Sequence, residues 1–170
     1  MSELLVDTKA YLESHHPPTY YGEAAIRKVE EVEGSMDPIQ KYIITEEGFV
    51  EGNYDDTKGI KTRGVGQTGE YMNMTFKESY NSIKKRTVST IPSFNKQPED
   101  TQKALMSLSY RGDMKKGFKW VKHFNNGEYD KAATEVLNHK EYKELKEKGK
   151  PSGIVKRLEE AARLIRNTKP

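Results

Sequence analysis

Two adjacent acids, Glu46 and Glu47, are followed by a further acid, Asp56, and a hydroxyl, Thr62, within one short stretch that reads EGFVEGNYDDTKGIKTRGVGQTG from Glu47 onward. Taken singly, each has an ordinary explanation. A glutamate near a helix end is usually solvated, an aspartate before Thr57-Lys58-Gly59 forms a turn, and a strand threonine reflects β-propensity. Taken together they place separate carboxyl groups close in sequence but on different local elements. That is the raw material of general acid–base chemistry, in which one carboxyl gives a proton while another stays ionised.

The elements that must position them can be read from the same stretch. Asp37 is a good N-cap and Pro38 a good first helical residue, so a helix is predicted to start there. Its apolar stripe is Ile39, Tyr42 and Ile43, and its continuation falls on Glu46 and Glu47 before Gly48 ends the helix. A carboxylate on an inward stripe, at the negative end of a helix, is expected to hold its proton more readily than one in water. Asn53-Tyr54-Asp55 then reads as a first strand, Asp56 to Gly59 as a turn and Ile60 to Arg63 as a second strand. Gly64, Gly66 and Gly69 allow close backbone approach. Helix end, turn and strand would thus aim Glu47, Asp56 and Thr62 into one cleft.

Glu47, Asp56 and Thr62 at these spacings, with Tyr54 before the acid and a Gly-x-Gly after the threonine, resemble the catalytic region of the phage-type lysozymes, the T-even-phage-like endolysins of glycoside hydrolase family 24. The resemblance implies an α+β, mainly helical fold with two lobes: a small antiparallel β-hairpin lobe and a helical lobe joined by a long helix, with the cleft between them. It implies hydrolysis of the β-1,4 bond between N-acetylmuramic acid and N-acetylglucosamine of bacterial peptidoglycan, with inversion and without a cofactor. Glu47 would be the proton donor, Asp56 the ionised group that stabilises oxocarbenium-like charge, and Thr62 the holder of the attacking water. Tyr54, Gln67 and Arg111 would contact substrate. The chain departs from the pattern where many relatives have His after the Gly-x-Gly, since it has Gln67. It departs again where a relative uses an Arg near the last helix to hold its glutamate. Here the neighbourhood is Ser152-Gly153-Ile154, so that partner is either absent or supplied by Arg157 or Arg111.

Two other readings share the scaffold. A lytic transglycosylase would need one Glu and no water, leaving Asp56 and Thr62 superfluous. A virion-associated, wall-penetrating or non-catalytic module would bind the wall, and the extra N-terminal segment is where phage virion proteins would attach.

At 170 residues, about a third of them charged, the chain is long enough for one domain with a sizeable core. It contains no cysteine, which excludes disulfides, thiol nucleophiles and thiolate metal sites. No apolar run approaches the roughly 20 residues needed to span a membrane, and the N-terminus lacks the pattern of a secretory signal. The expectation is synthesis in the host cytoplasm with delivery to the wall through a holin-type lesion, or carriage on a virion. The net charge of +3 is uneven: residues 1–36 carry seven acids and three bases, and the remainder nineteen acids and twenty-six bases. A basic body suits an anionic wall polymer or, with less support from its scattered lysines, nucleic acid.

The domain reading is a helical extension over 1–36 and a lysozyme-like domain over 37–170, divided into a small lobe to about 74, a connecting helix over about 75–91 and a helical lobe beyond. Within the extension, helices are predicted at Ser2 to Glu13 and Gly22 to Glu33, the latter carrying Ala25, Ile26, Val29 and Val32 at helical spacing. His15-His16 lacks partners at ligand spacing and reads as loop rather than metal site. Thr75 to Glu78 is a capping box opening the connecting helix. Beyond it, helices are predicted after Pro98, around Trp120, from Tyr129 to Leu137 and from Ile154 to Ile165. The aromatic-Asp-x-Ala-Ala string at Tyr129 to Ala133 and Gly153-Ile154 with Arg157 match the resembled family.

Overall fold

Asp37 begins its helix as the sequence predicts, and with more support than Pro38 alone. In the computed structural model, which describes residues 18–55, 59–149 and 152–169, its Oδ1 accepts from the Gln40 N–H at 2.8 Å while Gln40 Oε1 accepts from the Asp37 N–H at 2.9 Å. This reciprocal capping box satisfies donors that the first helical turn leaves open. The predicted helix at Ser2 to Glu13, the histidine pair and Asp56 to Lys58 lie outside the described residues.

The chain divides into two units, Met1–Tyr80 and Asn81–Pro170. The first contains β1 (Thr19–Tyr20), α1 (Gly22–Glu33), α2 (Pro38–Glu47), β2 (Phe49–Asp55), β3 (Lys61–Gly64) and β4 (Gln67–Thr68). A short 3-10 helix, Gly69–Asn73, leads to α3 (Phe76–Thr90), inside which the division falls. The strands form one antiparallel sheet in the order β1-β2-β3-β4. Tyr54 lies opposite Thr62 and Asp55 opposite Lys61, but the register shifts before Val50 meets Gly64, so β2 is bulged.

The buried face of α2 is Ile39, Gln40, Ile43 and Ile44. This differs from the predicted stripe by a rotation: Tyr42 is only half-buried, and Glu46 and Glu47 lie at the margin of the face rather than in its middle. Helix α1 buries Ala25 and Val29 as expected, packing on α2 and β2. Val32 does not follow them, being 79% exposed in the last turn.

What fixes the end of α1 is its final residue. The Glu33 carboxylate accepts from the Phe76 N–H at 2.8 Å and from the Lys77 N–H at 2.8 Å, across the N-terminus of α3. The same terminus carries the predicted capping box, in which Thr75 Oγ1 accepts from the Glu78 N–H and Glu78 Oε1 from the Thr75 N–H. A carboxylate with two donors at the positive end of a helix is stabilising. Glu33→Ala is therefore expected to cost about 1–2 kcal/mol, read as a lower midpoint in thermal or urea unfolding, whereas Val32→Ala should change almost nothing.

The second unit is helical: α4 (Glu99–Tyr110), α5 (Lys119–Asn125), α6 (Tyr129–Val136), α7 (Lys140–Lys148) and α8 (Gly153–Arg166) follow α3 and a short 3-10 turn at Phe94–Lys96. Helix α4 supplies the fully buried Ala104, Leu105 and Met106, and packs on α8. Ala132 and Ala133 in α6 are also fully buried and let α5 and α8 approach closely. A hydrogen bond of 2.8 Å between the buried Thr101 and Thr168 hydroxyls ties the start of α4 to the residues just after α8. Helix α7 was not predicted, because its KEYKELKEK sequence has almost no apolar face; Tyr142 Oη and Lys146 Nζ anchor it to Glu159 of α8 at 3.0 and 2.8 Å. No helix among the described residues is long and apolar enough to cross a membrane.

Charge divides more sharply at the boundary between the units than at residue 36. Residues 1–80 contain 8 Lys and Arg against 15 Asp and Glu, a net of −7, and residues 81–170 contain 21 against 11, a net of +10.

Candidate active site

Glu47 is the last residue of α2, half-buried, with Gly48 closing the helix through its N–H to Ile44 O at 2.8 Å. Its carboxyl group lies against the turn between β3 and β4. This turn has two residues, Val65 and Gly66, and Gly66 has a φ of +58° that glycine adopts without strain. A Cβ placed on Gly66 would lie 2.5 Å from Glu47 Oε2. The helix end and the hairpin therefore meet at the acid itself.

Thr62 sits in the middle of β3, 3% exposed, and its hydroxyl donates to the Ile60 carbonyl at 2.9 Å. With its one proton committed, the oxygen can only accept further hydrogen bonds. Tyr54, directly opposite on β2, is half-buried and shares that face of the sheet. Asp56 follows Asp55 at the end of β2 but lies outside the described residues.

Two of the predicted substrate contacts have other occupations. Gln67 is 4% exposed, and its Nε2 donates to Tyr71 O at 2.9 Å, Met74 O at 2.8 Å and Ser79 Oγ at 3.0 Å. Its Oε1 accepts from the Val65 N–H at 3.3 Å. The side chain is a strut under the turn, tying β4 to α3. Arg111 belongs to the second unit, at the C-terminus of α4, where its Nε donates to Asp113 Oδ2 at 2.8 Å. Asp113 Oδ1 is in turn 3.2 Å from His139 Nε2. Arg157 lies half-buried in α8.

Sequence reasoning missed Gly66 as a direct neighbour of the acid, although the Gly-x-Gly before Gln67 was the signal available. It also missed a groove of about 570 Å³ in the first unit, lined by Lys28, Glu31, Glu51, Asn53 and Arg63 among others. Asn53 and Arg63 adjoin Tyr54 and Thr62 on their strands, and the lining of the groove includes neither Glu47 nor Thr62. Tyr80, buried at the first unit's margin, has its phenol pushed above the usual range by burial and then by the Asp37 charge, so it stays protonated and takes no part in acid–base chemistry here.

Residues 44–161 match the family described as Phage lysozyme. Among solved structures, the chain is similar to the active form of the P1 phage endolysin Lyz, with a TM-score of 0.54 and 16% sequence identity over 87% of this chain and 95% of that one. At that identity the likeness is one of fold, and the mainly helical architecture with a small antiparallel sheet is the one the sequence implied. No curated protein sequence matches significantly.

Proposed function

This chain belongs to the phage lysozyme family of cell-wall hydrolases, and from that premise we propose that it is an N-acetylmuramidase, cleaving the β-1,4 bond between N-acetylmuramic acid and N-acetylglucosamine in peptidoglycan. The observation that carries the reading is Glu47 at the end of α2, its carboxyl group held against the turn that follows the Thr62 strand. In the reaction, Glu47 protonates the leaving glycosidic oxygen. Asp56, ionised, balances the positive charge that develops on the sugar ring. Water attacks from the opposite face and inverts the anomeric centre. Thr62 holds that water by accepting one of its protons, since the hydroxyl's own proton is engaged by Ile60 O. A threonine hydroxyl is too weak an acid–base group to deprotonate water unaided, so its contribution is orientation.

The basic second unit is suited to anionic wall polymers and would concentrate the enzyme on its substrate in a salt-dependent way. Release to the wall through a membrane lesion made by another protein belongs to the same proposal.

The test is mass analysis of the fragments released from purified peptidoglycan. Hydrated reducing-end muropeptides, carrying heavy oxygen when the solvent is labelled, are the expected products. Anhydro products would transfer the protein to the transglycosylases, and binding without release would remove the catalytic reading. Within this scheme Thr62→Val should lower kcat by about tenfold to a hundredfold, the worth of one well-placed hydrogen bond, while Thr62→Ser keeps most of the rate. Initial clearing rates of folded variants decide it; equal loss in both would point to β3 packing instead.

A further inference from the structure

We propose that Gly66 is a positioning residue for Glu47, and that the absence of a side chain at this turn sets where the acid's carboxyl group sits. The proposal rests on the reading of Glu47 as proton donor. A Cβ on Gly66 would lie 2.5 Å from Oε2, 3.1 Å from Cδ and 3.6 Å from Cγ of Glu47. The last distance is ordinary contact and the first is not, so the turn would press on the tip of the side chain rather than on its stem.

Which partner yields decides the consequence. The turn is held on both sides. Val65 is fully buried, and Gln67 is fixed by its bonds to Tyr71, Met74 and Ser79. The Glu47 atoms in contact are the far end of a flexible side chain, so they give way before the backbone of the turn does. A methyl group at position 66 is therefore relieved by moving the carboxyl group, so that beyond the backbone strain of the positive φ its effect falls on the atom group whose position matters for proton transfer. Gly64 shows the contrast, because its Cβ would lie 2.5 Å from Oε1 of the strut Gln67. There the strain would fall on the fold.

The positive φ at Gly66 must be separated from the contact, and Gly69 does this. Its φ is +54° and a Cβ on it meets nothing within 4 Å. Gly66→Ala and Gly69→Ala thus carry the same backbone strain, and only the first reaches Glu47. In the full-length protein, we expect both to unfold within a few degrees of each other. Gly66→Ala should lose about a hundredfold in kcat, the order of effect of a displacement near 1 Å, with a much smaller change in KM, and Gly69→Ala should lose little. Gly66→Asn carries the same Cβ on a residue that tolerates the left-handed region better, and it must reproduce the loss should Gly66→Ala fold poorly. In a Glu47→Asp background the carboxyl group is one methylene shorter, so adding Gly66→Ala should cost less than about fivefold more. Equal losses in Gly66→Ala and Gly69→Ala, or the same fold loss in the Asp background, overturn the proposal. Loss of activity in Glu47→Gln beside an unimpaired Gly66→Ala overturns it alone, whereas an active Glu47→Gln overturns the proton-donor reading and this proposal with it.

Discussion

Glu47→Gln is expected to lower peptidoglycan clearing by about a thousandfold or more, at the upper end of what one general acid contributes, with no unfolding. Glutamine keeps the length and shape of the side chain beside Gly66. What it lacks is a proton that can be transferred to a glycosidic oxygen. The loss should therefore fall on kcat, while sedimentation of the variant with insoluble peptidoglycan stays as for the wild type. Stability should change by about 1 kcal/mol or less, since the side chain keeps its size at a half-buried position. An undiminished rate would move the acid's role to the neighbouring Glu46, for which Glu46→Gln is the matching variant.

Gln67→Leu is expected to behave in the opposite way. Leucine fills similar space but leaves the carbonyls of Tyr71 and Met74, the Ser79 hydroxyl and the Val65 N–H without the amide that now serves them. Stranding several buried polar groups costs on the order of 3 kcal/mol, a fall of roughly 6–12 °C in the unfolding midpoint for a chain of this size. At temperatures where the variant stays folded, KM should be near that of the wild type. A raised KM with unchanged stability would restore Gln67 to the substrate contacts that the sequence suggested.

Features set by neighbouring residues were legible. Asp37-Pro38 starts α2, Gly48 ends it, and Thr75 to Glu78 caps α3, because caps depend on side chains three or four positions apart. The β2–β3 hairpin was readable from the sequence, although β2 starts at Phe49 rather than Asn53, and the pairing of Tyr54 with Thr62 was not read. Features made by distant partners were not. Two-residue strands such as β1 and β4 show no alternation, and α7 has too little apolar surface to signal a helix. Nothing local in Glu33 foretells its bond to residues more than forty positions away. Gln67 is the instructive case in the site, since the same position after a Gly-x-Gly can hold a substrate contact or a buried strut, and only the acceptors around it distinguish them.

The bond from Glu33 to α3 also bears on where this protein can be cut. The stretch that carries the family's signature, 44–161, starts inside α2 and stops inside α8. A fragment trimmed to it would lose the Asp37 cap, the acceptor for two α3 donors, the β1 cover on the outer edge of β2 and the Thr168 tie to Thr101. The exposed edge of β2 would then be open to pairing with another chain. The family signature and the structural unit are different lengths of this polypeptide, and the residues from Thr19 to Met36 pack within the unit that ends at Tyr80 although they fall outside the signature.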